Sequence, residues 1–139
     1  MVAWHQRGMQ MTTELHLLAW TVVVALIYII AFDVVRTRQY GAKWNMGARD
    51  ATMPPLSPLA DRLGRAQANL FETLPLFAAA VLIAHVAGVH TRGTVIGAEL
   101  YFWGRVIYLP LYALGIPVIR SIVWLASFAG LVMVVVALL

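Results

Sequence analysis

The 139-residue chain is 62% hydrophobic and 12% charged, against roughly 45–50% and about 25% in soluble domains, which excludes an ordinary soluble globule. The formal net charge of +4 does not read as nucleic-acid binding, because the basic residues form no basic face interleaved with aromatics. With no cysteine, disulfides, thiolate metal sites and a protein-borne nucleophilic thiol are excluded together, so any thiol chemistry must arrive with a ligand.

The expected fold is all-α, a single-domain integral membrane bundle of four helices at about 15–35, 58–87, 94–114 and 117–138. Each is long enough to cross a hydrocarbon core about 30 Å thick at about 1.5 Å per residue. Residues 1–13 form a short polar lead with Met and Trp suited to an interface. A secretory signal peptide is the competing reading of the first helix, with Arg7 as its basic region. The apolar run is too long for that and ends in Asp33, Arg36 and Arg38 without a small-x-small cleavage site, so a retained helix is expected. His16 falls near the outer end, as an interfacial histidine would. Helix C-termini favour cations, so anchoring explains Arg36 and Arg38 as well as ligand binding does.

Residues 37–57 are the longest non-apolar stretch. Their Gly, Pro and Asn argue against regular structure, and Tyr40, Trp44 and Met46 suit a segment lying on lipid headgroups. Ser57 and Pro58 then form an N-cap and first helical position, with Asp61 in the first turn. The second helix carries Arg62, Arg65, Asn69, Glu72 and Leu76 at steps of three and four, hence on one face. Ionisable groups at membrane depth turn toward a bundle interior or a wet cavity, so this face predicts both a bundle and a polar pocket. Pro75 cannot donate to Phe71 and is expected to kink the helix one turn beyond Glu72. Ala80, Ala84, Gly88, Gly93 and Gly97 suit close helix packing. His85 and His90 lack the i,i+4 spacing of a helical metal pair, so no metal site is read.

On the third helix Arg105, Tyr108 and Tyr112 share a face. In antiparallel neighbours, residues at equal depth have numbers adding to a constant, which sets Glu72 level with Arg105, Asn69 with Tyr108 and Arg65 with Tyr112. The polar faces either meet within one chain or across a subunit boundary. A buried Glu72–Arg105 pair is physically sensible, since either charge alone in lipid is costly. Such rungs lock register or form a binding site; locking needs one rung, and here there are three. The turn Gly115-Ile116-Pro117 is short enough to lay the fourth helix beside the third, with Arg120 and Ser121 in its first turn. Sorted by loop, Lys and Arg concentrate on the side of residues 37–57, which by the positive-inside rule is cytoplasmic, with both termini outside.

The run Arg65-Ala-Gln67-Ala-Asn69-x-x-Glu72-x-x-Pro75-Leu-Phe77 resembles the second-helix signature of the MAPEG proteins, the membrane-associated proteins in eicosanoid and glutathione metabolism. Arg105-x-x-Tyr108-x-x-x-Tyr112 followed by Arg120 is similar to their third- and fourth-helix pattern. The resemblance covers most of the chain and is to the bacterial type, which implies a bacterial inner membrane.

It also implies a homotrimer of four-helix subunits in membrane lipid, with glutathione as co-substrate bound between subunits near the cytoplasmic face. By motif position, Arg65, Gln67, Asn69 and Glu72 look like contacts from one subunit. Arg105, Tyr108, Tyr112 and Arg120 look like further contacts, and Arg36 or Arg38 matches a helix-one arginine. Arg120 is similar to the arginine that stabilises the thiolate, with Ser121 a hydroxyl donor beside it. The chemistry suits the ligand: arginines fork onto its two carboxylates, Glu72 takes its ammonium, and Asn69 and Gln67 serve its peptide groups. A thiol with a pKa of about 8.5 needs a nearby cation or donor to ionise at neutral pH.

The implied activity is a glutathione-dependent transferase or peroxidase on hydrophobic small molecules entering from the bilayer. The loop with Gly41, Trp44, Asn45, Gly47, Arg49 and Asp50 has no counterpart in the eicosanoid enzymes, so eicosanoid chemistry is not inferred. Two other readings stand beside it: a non-catalytic membrane protein whose polar rungs are structural, and a small carrier using Glu72 and Arg105 as a relay, against which the chain lacks an internal repeat.

Overall fold

The computed structural model describes residues 11–139. The first ten residues, and with them Arg7 and most of the polar lead, lie outside the described residues. The chain is all-α: α1 (Thr13–Tyr40), α2 (Ala42–Met46), α3 (Pro58–Ala87), α4 (Arg92–Leu114) and α5 (Pro117–Val136). Three of these, α1, α3 and α5, are long and apolar enough to cross a membrane. The fourth long helix, α4, has 23 residues but carries Arg92, Glu99 and Arg105, which lower its hydropathy.

Each helix begins and ends where local chemistry dictates. Thr12 caps α1 by accepting from the Leu15 N–H at 3.3 Å, and His16 beside it is exposed, its Nδ1–H donating to the Thr12 carbonyl. The helix continues past the expected 35 to Tyr40, where Arg36, Arg38 and Gln39 are good helix formers. It stops at Gly41, whose φ of +90° is open to glycine. Ser57 accepts from the Ala60 N–H at 3.3 Å, Pro58 follows at the first position, and α3 runs through Pro75 without breaking. Thr91 and Thr94 cap α4 reciprocally. Gly115, at φ +75°, turns the chain directly into α5, and the Arg62 Nη1–H donates to the Ala113 carbonyl beside it at 3.3 Å.

The stretch 37–57 is more regular than expected. It contains the last turn of α1 and all of α2, and the extended remainder is tied back to α1. The Tyr40 hydroxyl donates to the Pro54 carbonyl at 2.6 Å. Gln39 donates to the Pro55 carbonyl at 2.9 Å and accepts from the Ser57 N–H at 2.7 Å. Trp44 packs edge-on to Tyr40, and the guanidinium groups of Arg36 and Arg49 lie 5.7 and 5.1 Å from its ring centre. Cation–π contacts to an amphipathic ring thus replace the hydrophobic core that so short a helix lacks.

Two apolar clusters stack along the bundle. One gathers Phe77, Val81, Tyr101, Leu131 and Val134; the other gathers Val24, Tyr28, Leu70 and Tyr108, nearer the basic end. The tightest seam joins α4 to α5, where a Cβ on Gly97 would lie 2.6 Å from the Gly130 carbonyl oxygen and one on Gly104 2.6 Å from the Ser127 Cβ. Of the small residues expected in packing surfaces, Ala80, Ala84 and Gly97 are buried. Gly88 instead ends α3 in the left-handed conformation, and Gly93 sits half-buried in the first turn of α4.

Candidate functional site

The packing face of α3 is the stripe Ala66, Leu70, Thr73, Phe77, Ala80 and Ala84. The polar face read from the sequence is turned away from it by roughly 100° at 3.6 residues per turn. Asn69 lies on the shared edge and is half-buried; Arg65, Glu72 and Leu76 point out of the chain. Glu72 therefore does not pair with Arg105 within one chain, and among the described residues no salt bridge joins them.

Arg105 takes different partners. It is 0% exposed; its Nη1–H donates to Asn69 Oδ1 at 2.8 Å and its Nη2–H to Thr73 Oγ1 at 2.8 Å. The guanidinium lies 5.2 Å from the Tyr101 ring centre and 5.6 Å from that of Tyr108. Tyr101 and Thr73 share a hydrogen bond at 2.9 Å, and the Tyr28 hydroxyl donates to the Arg105 carbonyl at 2.7 Å. The charge is thus dispersed over neutral oxygens and two ring faces. Its Nε–H has no partner among the described residues, and the side chain is enclosed rather than open to a ligand.

Directly on the basic side of this cluster a cavity of about 410 Å³ is lined by Asn69 of α3, Tyr108 and Tyr112 of α4, and Arg120, Ser121, Trp124 and Leu125 of α5. Tyr108 and Tyr112 meet edge-on at 5.3 Å, and the Arg120 guanidinium lies 4.3 Å over the Tyr112 ring. Arg65, paired to Asp61 at 2.6 Å, lies 6.0 Å from the same ring. Five residues expected at a site therefore line one cavity: Asn69, Tyr108, Tyr112, Arg120 and Ser121. The Ser121 hydroxyl donates to the Pro117 carbonyl at 3.1 Å, so its proton is engaged within α5.

The remaining candidates sit elsewhere. Arg105 is behind the cavity wall, and Glu72 is on the outer face. Arg36 is bound to Asp33 and stacked on Phe32 at 4.7 Å, while Arg38 is exposed; neither lines the cavity. Gln67 is half-buried, with its Oε1 unpartnered among the described residues.

Sequence reasoning missed Thr73, Tyr101 and Trp124. Thr73 is one turn beyond Asn69 and Trp124 one turn beyond Arg120, so i,i+4 spacing could have found both. A family model described as the MAPEG family matches residues 17–139.

The chain belongs to the MAPEG family.

A search of curated proteins returns no match. Set on the structure, the second-helix signature of this MAPEG chain divides between surfaces: Asn69 reaches the cavity, Arg65 and Glu72 face outward, and Phe77 is core. The third-helix pattern stays together, with Tyr108 and Tyr112 on the cavity wall.

Proposed function

We propose that this MAPEG protein binds glutathione and uses its thiolate to attack lipophilic electrophiles that reach it through the bilayer. The observation that carries this reading is the cavity in which Arg120, stacked on Tyr112, shares a wall with Asn69, Tyr108 and Ser121. A guanidinium held by a ring face stays free to accept an anion, and a nearby cation lowers a thiol pKa toward neutrality. In the transferase step the glutathione thiol loses its proton to solvent, the thiolate forms a bond to the electrophilic carbon, and the leaving group departs with its electron pair. Arg120 stabilises the thiolate, Tyr108 and Tyr112 orient the tripeptide, Asn69 meets a peptide group, and Arg65 takes a carboxylate at the mouth.

The reading includes four spans and a homotrimer. Treating α4 as the fourth span is supported by the enclosure of Arg105, which turns the central charge of that helix away from lipid. Self-association is supported by Glu72, an outward carboxylate midway along a 30-residue helix, which a neighbouring copy must cover in a bilayer. The glutathione ammonium then meets Glu72 at a subunit boundary. Arg36, Arg38, Gln67 and Ser121 take supporting places around the same boundary. By the positive-inside rule the cavity end, with Arg36, Arg38, Lys43 and Arg49, faces the cytoplasm of a bacterial inner membrane, and both termini face out.

The decisive experiment titrates glutathione into detergent-purified protein and follows the melting temperature, alongside conjugation to a lipophilic halonitroarene. A ligand that binds only the folded state raises stability by about 2.7 kcal/mol at one hundred times its Kd. Wild type is expected to show both responses, and Arg120→Ala to lose conjugation. A melting curve indifferent to glutathione overturns the proposal.

A further inference from the structure

We propose that the outward face of α4 binds a long-chain amphiphile with an ammonium head, held by Glu99. The inference rests on α4 being a membrane span, but it concerns a surface at the end of the bundle opposite the Arg120 cavity. Ile96, Leu100, Trp103 and Ile107 form an exposed apolar stripe on α4. Together with Gly104 and the α5 residues beside it they bound a groove of about 310 Å³, at the lower end of small-molecule sites. One wall carries a charge. Glu99 is exposed, and among the described residues no salt bridge reaches it.

A lone carboxylate on a lipid-facing surface is costly unless a cation meets it. Among the described residues none does. Arg92 stands two turns away at the helix start, Arg105 is enclosed by Asn69 and Thr73, and Arg36, Arg62, Arg65 and Arg120 lie at the other end. A second copy inserted in the same direction brings its cations to the same depths, so it supplies no partner for Glu99 either. An ammonium-headed amphiphile of the membrane supplies such a cation.

The geometry suits an amphiphile. Glu99 is about 12 Å along α4 from Thr91 at about 1.5 Å per residue, and helical side chains lean toward the N-terminus, so the carboxylate reaches back toward the nearby interface. An ammonium head there leaves its chain running along Leu100, Trp103 and Ile107 toward mid-membrane.

The test uses the whole protein in neutral-lipid nanodiscs, with quenching of Trp103 read as the difference from Trp103→Phe. A brominated neutral phospholipid establishes that Trp103 faces lipid; no quenching by it overturns the α4 span and this site together. A bromoalkyl trimethylammonium is then compared with the bromoalkyl sulfate of equal length. The ammonium is expected to half-quench at about tenfold lower concentration, equivalent to one decade of Kd, and Glu99→Gln to abolish the preference. Equal quenching by the two probes, or a preference that survives Glu99→Gln, overturns the site while leaving the glutathione reading untouched, because that reading is tested by Arg120→Ala.

Discussion

The guanidinium of Arg105 is fastened to the side-chain oxygen of Asn69 at 2.8 Å, and this bond ties the buried charge of α4 to the edge of the cavity. Asn69 thus has one side in the core and one on the cavity wall. A hydrogen bond to a charged group contributes about 1.5–3 kcal/mol. Asn69→Leu is therefore expected to lower stability by about that amount in detergent unfolding. Adding Arg105→Leu should restore part of the loss, with a coupling of about 0.5–3 kcal/mol; strict additivity of the two changes would show that the bond carries no weight.

Glu72 behaves in the opposite way. Among the described residues no side chain pairs with it, so Glu72→Gln is expected to leave helicity by circular dichroism unchanged. Crosslinked or sedimenting mass should fall instead, together with the melting response to glutathione. A variant that loses helical content while keeping its assembled mass would assign Glu72 to the subunit core.

The α4–α5 seam leaves no room for a side chain at Gly97, whose added Cβ would lie 2.6 Å from the Gly130 carbonyl oxygen. Overpacking a close-fitted interior typically costs about 1–3 kcal/mol. Gly97→Val is expected to lower the melting temperature sharply, whereas Gly93→Ala, whose added Cβ would meet only Thr91 Oγ1 at 3.4 Å, should melt near wild type. Equal effects at the two positions would argue against the seam.

The segment between α2 and α3 is held by side chains of α1. Gln39→Ala removes bonds to both Pro55 and Ser57, and with Tyr40→Phe no side-chain bond to Pro54 remains. Limited proteolysis is expected to cut residues 47–56 faster in the double variant, with the bundle itself left intact by melting. An unchanged cleavage rate would show that packing of Trp44 alone holds the segment.

Much of this architecture was legible in the residues. Long apolar runs, the Ser57-Pro58 start, the short Gly115-Ile116-Pro117 turn and the basic end are local signals, because caps, turns and transfer free energies act over a few neighbouring residues. Tyr108, Tyr112, Arg120 and Ser121 could be brought to one region because an antiparallel neighbour and a three-residue turn leave little freedom of placement. Asn69 followed from its level with Tyr108.

The partners of Arg105 were not legible. A helical wheel orders residues around an axis but has no zero, so Arg62 to Leu76 could be recognised as one face without revealing what that face looks at. Packing set the rotation: Ala66, Leu70, Thr73 and Phe77 offer small and apolar surface that close contact with α1, α4 and α5 requires, and they took the inside. That left Asn69 on the boundary and Glu72 outside, and it gave Thr73, a residue with no charge to attract notice, to Arg105. The residues alone settled the four long helices, the Ser57-Pro58 start and which end is basic, since each depends on neighbours along the chain, while the end of α1 at Tyr40 and the short α2 were not foreseen. Only the tertiary structure decided which way α3 turns, and so which polar groups meet, because that depends on the summed fit of many weak contacts from other helices.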